Sequence, residues 1–166
     1  MTTTSRRYEP GDLIYESKPY IRVIQRDLWE TSCSWCLKQD VELKRCSRCK
    51  MVRYCGVTCQ KAAWKDHKLE CPFLPRYTAG PDHFFVQMLA SLILKTKVMT
   101  PLKNFQLKRK PWFSNYLKVT EIALKSYLGE ENVPNEETLL QLIGKVECNY
   151  YSFGEGKSNI WALSIG

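Results

Sequence analysis

Residues 33 to 71 read CSWCLKQDVELKRCSRCKMVRYCGVTCQKAAWKDHKLEC, a stretch holding seven of the chain's eight cysteines and one of its two histidines. The ligand-type residues fall in four pairs: Cys33 and Cys36, Cys46 and Cys49, Cys55 and Cys59, and His67 and Cys71. In a Cys-x2-Cys knuckle a tight turn aims both sulfurs at one point. In the two later pairs the spacing is one helical turn, which puts both side chains on one face. Each pair supplies half of a tetrahedral site, so four pairs make two closed sites. Zinc suits this donor set because it takes thiolate and imidazole without redox chemistry, and no position stays open for catalysis. Scattered buried cysteines or a disulfide cluster would not give such paired spacing. Which pairs share an ion is left open by spacing alone, since both sequential and interleaved pairing satisfy it.

Outward from this stretch, the 166 residues and 44% hydrophobic content suit one ordinary domain plus a small module. No apolar run is long enough to cross a bilayer, and MTTTSRRYEPGD has no signal-peptide core. The expected location is therefore intracellular, nuclear or cytoplasmic, where thiols stay reduced and clustered cysteines mean metal. The formal charge is +8. Seven thiolates and two divalent ions lower that balance by three, to +5, which argues for a solvated basic surface and against a nucleic-acid partner.

Three segments differ in character: 1–32, 33–71 and 72–166. In the first, Gly11-Asp12 reads as a turn into the β-rich stretch GDLIYESKPYIRVI. The third opens with the breakers Pro72, Pro75, Gly80 and Pro81. A helix is then expected through Phe84, Phe85, Met88, Leu89, Leu92 and Ile93, with Asp82 as its cap. A second should run through Tyr116, Leu117, Val119, Ile122, Ala123, Leu124 and Tyr127 and stop at Gly129. A third should start from Asn135 and pass Leu139, Leu140, Leu142, Ile143 and Val146. Each stripe is read as core packing, and Cys148 and His83, which lie outside the ligand pattern, are read as core residues too. Lys108-Arg109-Lys110 is read as part of a solvated loop.

The order Cys-x2-Cys, Cys-x2-Cys-x4-Tyr-Cys-x3-Cys-Gln-x3-Trp-x2-His-x3-Cys, with Tyr54, Gln60 and Trp64 in place, resembles the MYND zinc finger. A RING finger also cross-braces two zincs, but its histidine comes earlier in the ligand order. The resemblance implies interleaved pairing, with Cys33, Cys36, Cys55 and Cys59 on one ion and Cys46, Cys49, His67 and Cys71 on the other. It also implies that Gln60 and Trp64, one turn apart on a helix expected between Thr58 and Leu69, line a groove for proline-rich peptides. The competing reading of Trp64 is packing over the metal core.

The flanks resemble the SET-and-MYND protein-lysine methyltransferases, in which the finger is inserted into a split SET domain. GDLIYESKPYIRVI resembles the start of that domain, and Lys145-Val146-Glu147-Cys148-Asn149-Tyr150-Tyr151-Ser152-Phe153 resembles the family's K-V-x-C-N-x-F-[ST]-I segment. The implied architecture is α+β: residues 1–32 as the first part of a split SET domain, 33–71 as the finger, and 72–166 as a helical insert and the start of the second SET part. The family transfers methyl groups from S-adenosylmethionine to lysine amines of histones or other proteins. Only Asn149 carries over as a cofactor contact. The family's Gly-rich strand, N-H-S-C motif and catalytic tyrosine do not occur in these residues. The expectation is therefore a zinc-dependent protein-interaction module that does not itself methylate, the alternative being an active methyltransferase completed by residues outside this chain. Ile160-Trp161-Ala162-Leu163 is expected to lack strands to pack on.

Overall fold

The computed structural model describes residues 7–14, 16, 18–77, 83–96, 111–153 and 160–163. In chain order these hold strand β1 (Ile21–Ile24), the short strands β2 (Lys44–Arg45) and β3 (Arg53–Tyr54), and helix α1 (Val57–Glu70). Helices α2 (His83–Thr96), α3 (Pro111–Leu128) and α4 (Glu136–Asn149) follow, then strands β4 (Tyr150–Phe153) and β5 (Ile160–Leu163). The class is α+β, as the sequence implies.

Helix α2 organises the molecule. Every residue from Phe85 to Leu94 is buried, so it is an all-round buried helix and not a surface one. It packs on β1, α1, α3 and α4. Gly129, at φ 85°, turns the chain after α3 in a conformation that a side chain would resist. Asn135 caps α4, its Oδ1 accepting from Thr138 N at 3.0 Å. Leu139, Leu142, Ile143 and Val146 then form the inner stripe of α4.

Three expectations need correction. Val119 and Ile122 of α3 are both 67% exposed, because the stripe that faces the core is Leu117, Thr120, Leu124, Tyr127 and Leu128. Cys148 is exposed, since it follows the inner stripe of α4 onto the outer face with Glu147 and Asn149. Residues 160–163 do find partners. They form the centre of an antiparallel sheet of order β1-β5-β4, with Ile21 opposite Leu163 and Tyr150 opposite Leu163 on the other side. The partner β1 lies well over a hundred residues upstream, a pairing that no local pattern reveals. The turn before β1 falls at Pro10–Gly11, with Gly11 at φ 98°, and among the described residues regular pairing begins at Ile21. Asp82, Gly80, Pro81 and Lys108-Arg109-Lys110 lie outside the described residues, as does the side chain of His83.

The 33–71 segment is anchored at both ends. Trp29, 4% exposed, donates from Nε1 to Ile24 O at 2.8 Å. Its ring meets Tyr77, whose ring meets Tyr127 of α3, at centroid separations of 6.3 and 4.6 Å. Arg26 Nη1 donates to Tyr77 O at 3.2 Å, so the chain entering the segment is tied to the chain leaving it. A polar seam joins α1 to α2: Ser91 Oγ donates to Glu70, and Lys95 Nζ pairs with Asp66 at 3.1 Å while also donating to the carbonyl of Tyr20. Burial raises the Glu70 carboxyl to about 7, against the pull of Ser91 and Lys95.

Lys95 therefore ties α1, α2 and the approach to β1 together. Its side chain is 16% exposed and that of Asp66 is 41% exposed, so solvent screens the pair in part. Lys95→Ala should cost about 1–2 kcal/mol in urea unfolding with metal content unchanged. A change within experimental error would show that the seam carries no stability.

Candidate metal centres

Two knuckles of like construction begin the site. Leu37 N donates to Cys33 O at 2.9 Å, and Lys50 N donates to Cys46 O at 3.0 Å. In each the fifth residue is left-handed, Leu37 at φ 64° and Lys50 at φ 62°. The turn thus closes four residues after the first cysteine and leaves both sulfurs on its inner side. The hairpin of β2 and β3, with Lys44 opposite Tyr54 and Arg45 opposite Arg53, sets Cys46 and Cys55 at its ends. Helix α1 follows from Gly56, carrying Cys59 and His67, with Cys71 as its cap residue.

These elements bring the eight residues into two sets of four, and in each set all ligand atoms lie within 4.8 Å of one another. The first is Cys33, Cys36, Cys55 and Cys59, and the second is Cys46, Cys49, His67 and Cys71. In the first, Cys36 Sγ is 3.6 Å from Cys55 Sγ, and Cys55 Sγ is 3.5 Å from Cys59 Sγ. In the second, His67 Nε2 lies 3.4 Å from Cys46 Sγ and 3.6 Å from Cys49 Sγ, with Cys46 and Cys71 sulfurs 4.0 Å apart. A tetrahedron with Zn–S bonds of about 2.3 Å separates its sulfurs by roughly 3.8 Å. The observed spacing therefore fits a closed tetrahedral ion and is too long for disulfides. The grouping is interleaved, so the question that spacing leaves open has a geometric answer.

The electrostatics also call for a cation. Burial pushes the Cys33 thiol up, but backbone N–H groups of Cys36, Cys55 and Trp35 outweigh it and bring the group down to about 6. Cys46 is lowered in the same way by Cys49 and Arg48. The last ligands suffer instead: Cys71 is pushed up to about 12 by burial and by the charge of Cys49 and Cys46. Cys59 rises to about 12, chiefly through its contact with Cys55. Converging thiolates disfavour one another unless a positive charge sits between them. Burial lowers His67 to about 4, which keeps the imidazole neutral, as a metal ligand must be.

The other singled-out residues do not join these sets. Trp64 is 40% exposed on α1, its ring centroid 5.9 Å from that of His67 in an edge-on arrangement, so it packs against the second set and also faces solvent. Gln60, one turn earlier, is half-buried. Asn149 ends α4, exposed, with Nδ2 donating to Lys145 O at 2.9 Å. What sequence reasoning missed is Trp35, inside the first knuckle. The Arg22 guanidinium of β1 lies 4.9 Å from its ring centroid, and Arg22 donates to Ser34 O at 3.4 Å. Its only signal was an aromatic residue between two ligands.

Residues 33–71 match the family described as the MYND finger. The chain is 35% identical to histone-lysine N-methyltransferase ASHR1 of Arabidopsis thaliana over 127 positions, covering 76% of this chain and 26% of that protein. It is 30% identical to histone-lysine N-methyltransferase SMYD3 of Mus musculus over 163 positions, covering 86% and 37%. To N-lysine methyltransferase SMYD2-A of Danio rerio it is 27% identical, covering 89% and 37%. The chain thus spans 26 to 37% of the length of these curated relatives. With a MYND finger at 33–71 and likeness to these methyltransferases on both sides of it, the chain belongs to the SET-and-MYND family.

Proposed function

We propose that residues 33–71 hold two structural zinc ions through the two interleaved sets, and that the finger is a protein-docking module of a protein-lysine methyltransferase. The observation that carries this reading is the pair of four-donor sets at tetrahedral spacing. Neither set leaves a position for substrate, so the ions hold the fold and do not react. Elemental analysis of protein purified without chelator should give two zincs per chain. A reproducible value of one with free thiols would defeat the assignment.

The docking partner in this reading is a protein, met through a proline-rich peptide laid across Gln60 and Trp64. Support comes from the exposure of Trp64, which leaves a large flat apolar face at the surface beside a polar amide. A central Trp contributes about 2 kcal/mol or more to such contacts. Trp64→Ala should therefore weaken a proline-rich peptide by about thirtyfold or more while the zinc count stays at two. Loss of zinc together with binding would make Trp64 a packing residue.

Methyl transfer comes to this chain by family likeness. The relatives' names specify histone-lysine and N-lysine substrates. S-adenosylmethionine would supply the methyl group, and Asn149, at the junction of α4 and β4, is the position of this chain that would meet it. A histone or another lysine-bearing protein is the corresponding substrate class, and the place of action is intracellular, nuclear or cytoplasmic. Among the described residues no helix is long and apolar enough to cross a membrane.

A further inference from the structure

The two metal sets differ in how far solvent reaches them. All four ligands of the second are buried. In the first only Cys33 is: Cys36 is exposed, and Cys55 and Cys59 are half-buried. We infer that the first set is a peroxide-sensitive site that gives up its zinc by forming a disulfide between Cys36 and Cys55, while the second keeps its ion. The inference rests on the two-zinc assignment above.

The chemistry follows from access and distance. Metal binding keeps a cysteine as thiolate, the form that attacks peroxide, and reaction then goes to the thiolate that solvent reaches. Cys36 is that thiolate. Its sulfur attacks one oxygen of hydrogen peroxide, forming Cys36–SOH and releasing hydroxide. The Cys55 thiolate, 3.6 Å away, attacks the Cys36 sulfur and expels a second hydroxide. Two thiolates have lost two electrons, peroxide has gained them, and the product is a Cys36–Cys55 disulfide. Cys33 and Cys59 remain as ligands, and two do not close a tetrahedral structural site, so the Zn²⁺ leaves. At the second set peroxide meets no exposed sulfur.

The site is also wired to the sheet. Drawing the two sulfurs from 3.6 Å to about 2.0 Å moves the knuckle that carries Ser34 and Trp35. Those two residues hold Arg22 of β1. Oxidation of the first set therefore disturbs the contact between the finger and the strand that pairs with β5.

The test uses the full chain carrying Cys148→Ser, which removes the exposed thiol outside both sets. Zinc is counted first, then hydrogen peroxide is added. Released metal is followed with a chromogenic chelator, and disulfides are mapped by mass spectrometry at intervals. The expected result is two zincs at the start, one of them released at least tenfold faster than the other, with Cys36–Cys55 as the first disulfide. Release of both ions at one rate, or a first disulfide in any other pair, overturns the proposal and leaves the zinc assignment standing. A starting count below two overturns both.

Discussion

Stripping zinc with a strong chelator should unfold residues 33–71 and leave α2, α3 and α4 packed. Within that segment the buried side chains besides the ligand cysteines and His67 are only Val52, Tyr54 and Ala63. So small an apolar set cannot offset the entropy of ordering 39 residues, and structural zinc in small fingers supplies about 10–16 kcal/mol of folding free energy. The helices have their own core in Met88, Leu89, Leu92, Ile93, Leu124, Leu128, Leu139, Ile143 and Val146, each 2% exposed or less. The finger meets those helices through the packing of α1 on α2 and the Lys95–Asp66 and Ser91–Glu70 contacts, while the Trp29–Tyr77–Tyr127 stack holds its flanks. Amide hydrogen exchange gives the readout. Protection across Val57–Glu70 should vanish on chelation, while the inner amides of α2 and α4 keep most of theirs. Protection of α1 that survives complete zinc removal would show that packing, not metal, holds the finger.

The finger was legible in the sequence because its physics is local. Each pair of ligands is set within five residues, by a knuckle turn, by the step from β3 into α1 (Cys55 precedes the helix and does not share its face with Cys59) or by the last turn of α1, and four pairs within 39 residues leave little freedom. The helices were legible for a related reason: the periodicity around Phe84–Ile93 and Asn135–Val146 matches α2 and α4, and α4 starts at Asn135, which serves as its cap. Failures came where a position's fate depends on what lies opposite. Val119 and Ile122 sit at apolar spacing, yet no element covers that face of α3 among the described residues, and Cys148 lies just past the turn that α4 buries. The β5 strand could not be placed because its neighbours are β1, far upstream, and β4, and register across such a gap is set by the whole fold. The seam residues Asp66, Glu70, Ser91 and Lys95 carry no motif; they matter only because α1 and α2 lie side by side.

Replacing His67 with alanine should remove one ion and expose one knuckle selectively. His67 Nε2 stands within 3.4 and 3.6 Å of the Cys46 and Cys49 sulfurs, so it belongs to their set although 18 or more residues separate them in the chain. Its ring is held edge-on by Tyr54 and Trp64, at centroid separations of 6.1 and 5.9 Å. Disturbing a group that merely orients a ligand costs about 10–100-fold in metal affinity, and deleting the ligand itself should cost more. His67→Ala should therefore bind one zinc per chain where the unaltered protein binds two. Alkylation read by mass spectrometry should label Cys46, Cys49 and Cys71 early, while Cys33, Cys36, Cys55 and Cys59 stay protected by the remaining ion. Sequential pairing makes the opposite demand: Cys55 and Cys59 would share an ion with His67 and would be labelled with Cys71, and Cys46 and Cys49 would be spared. Early labelling of Cys55 and Cys59 would thus sink the interleaved arrangement. It would also remove the footing for the Cys36–Cys55 oxidation, because those two sulfurs would no longer share a metal.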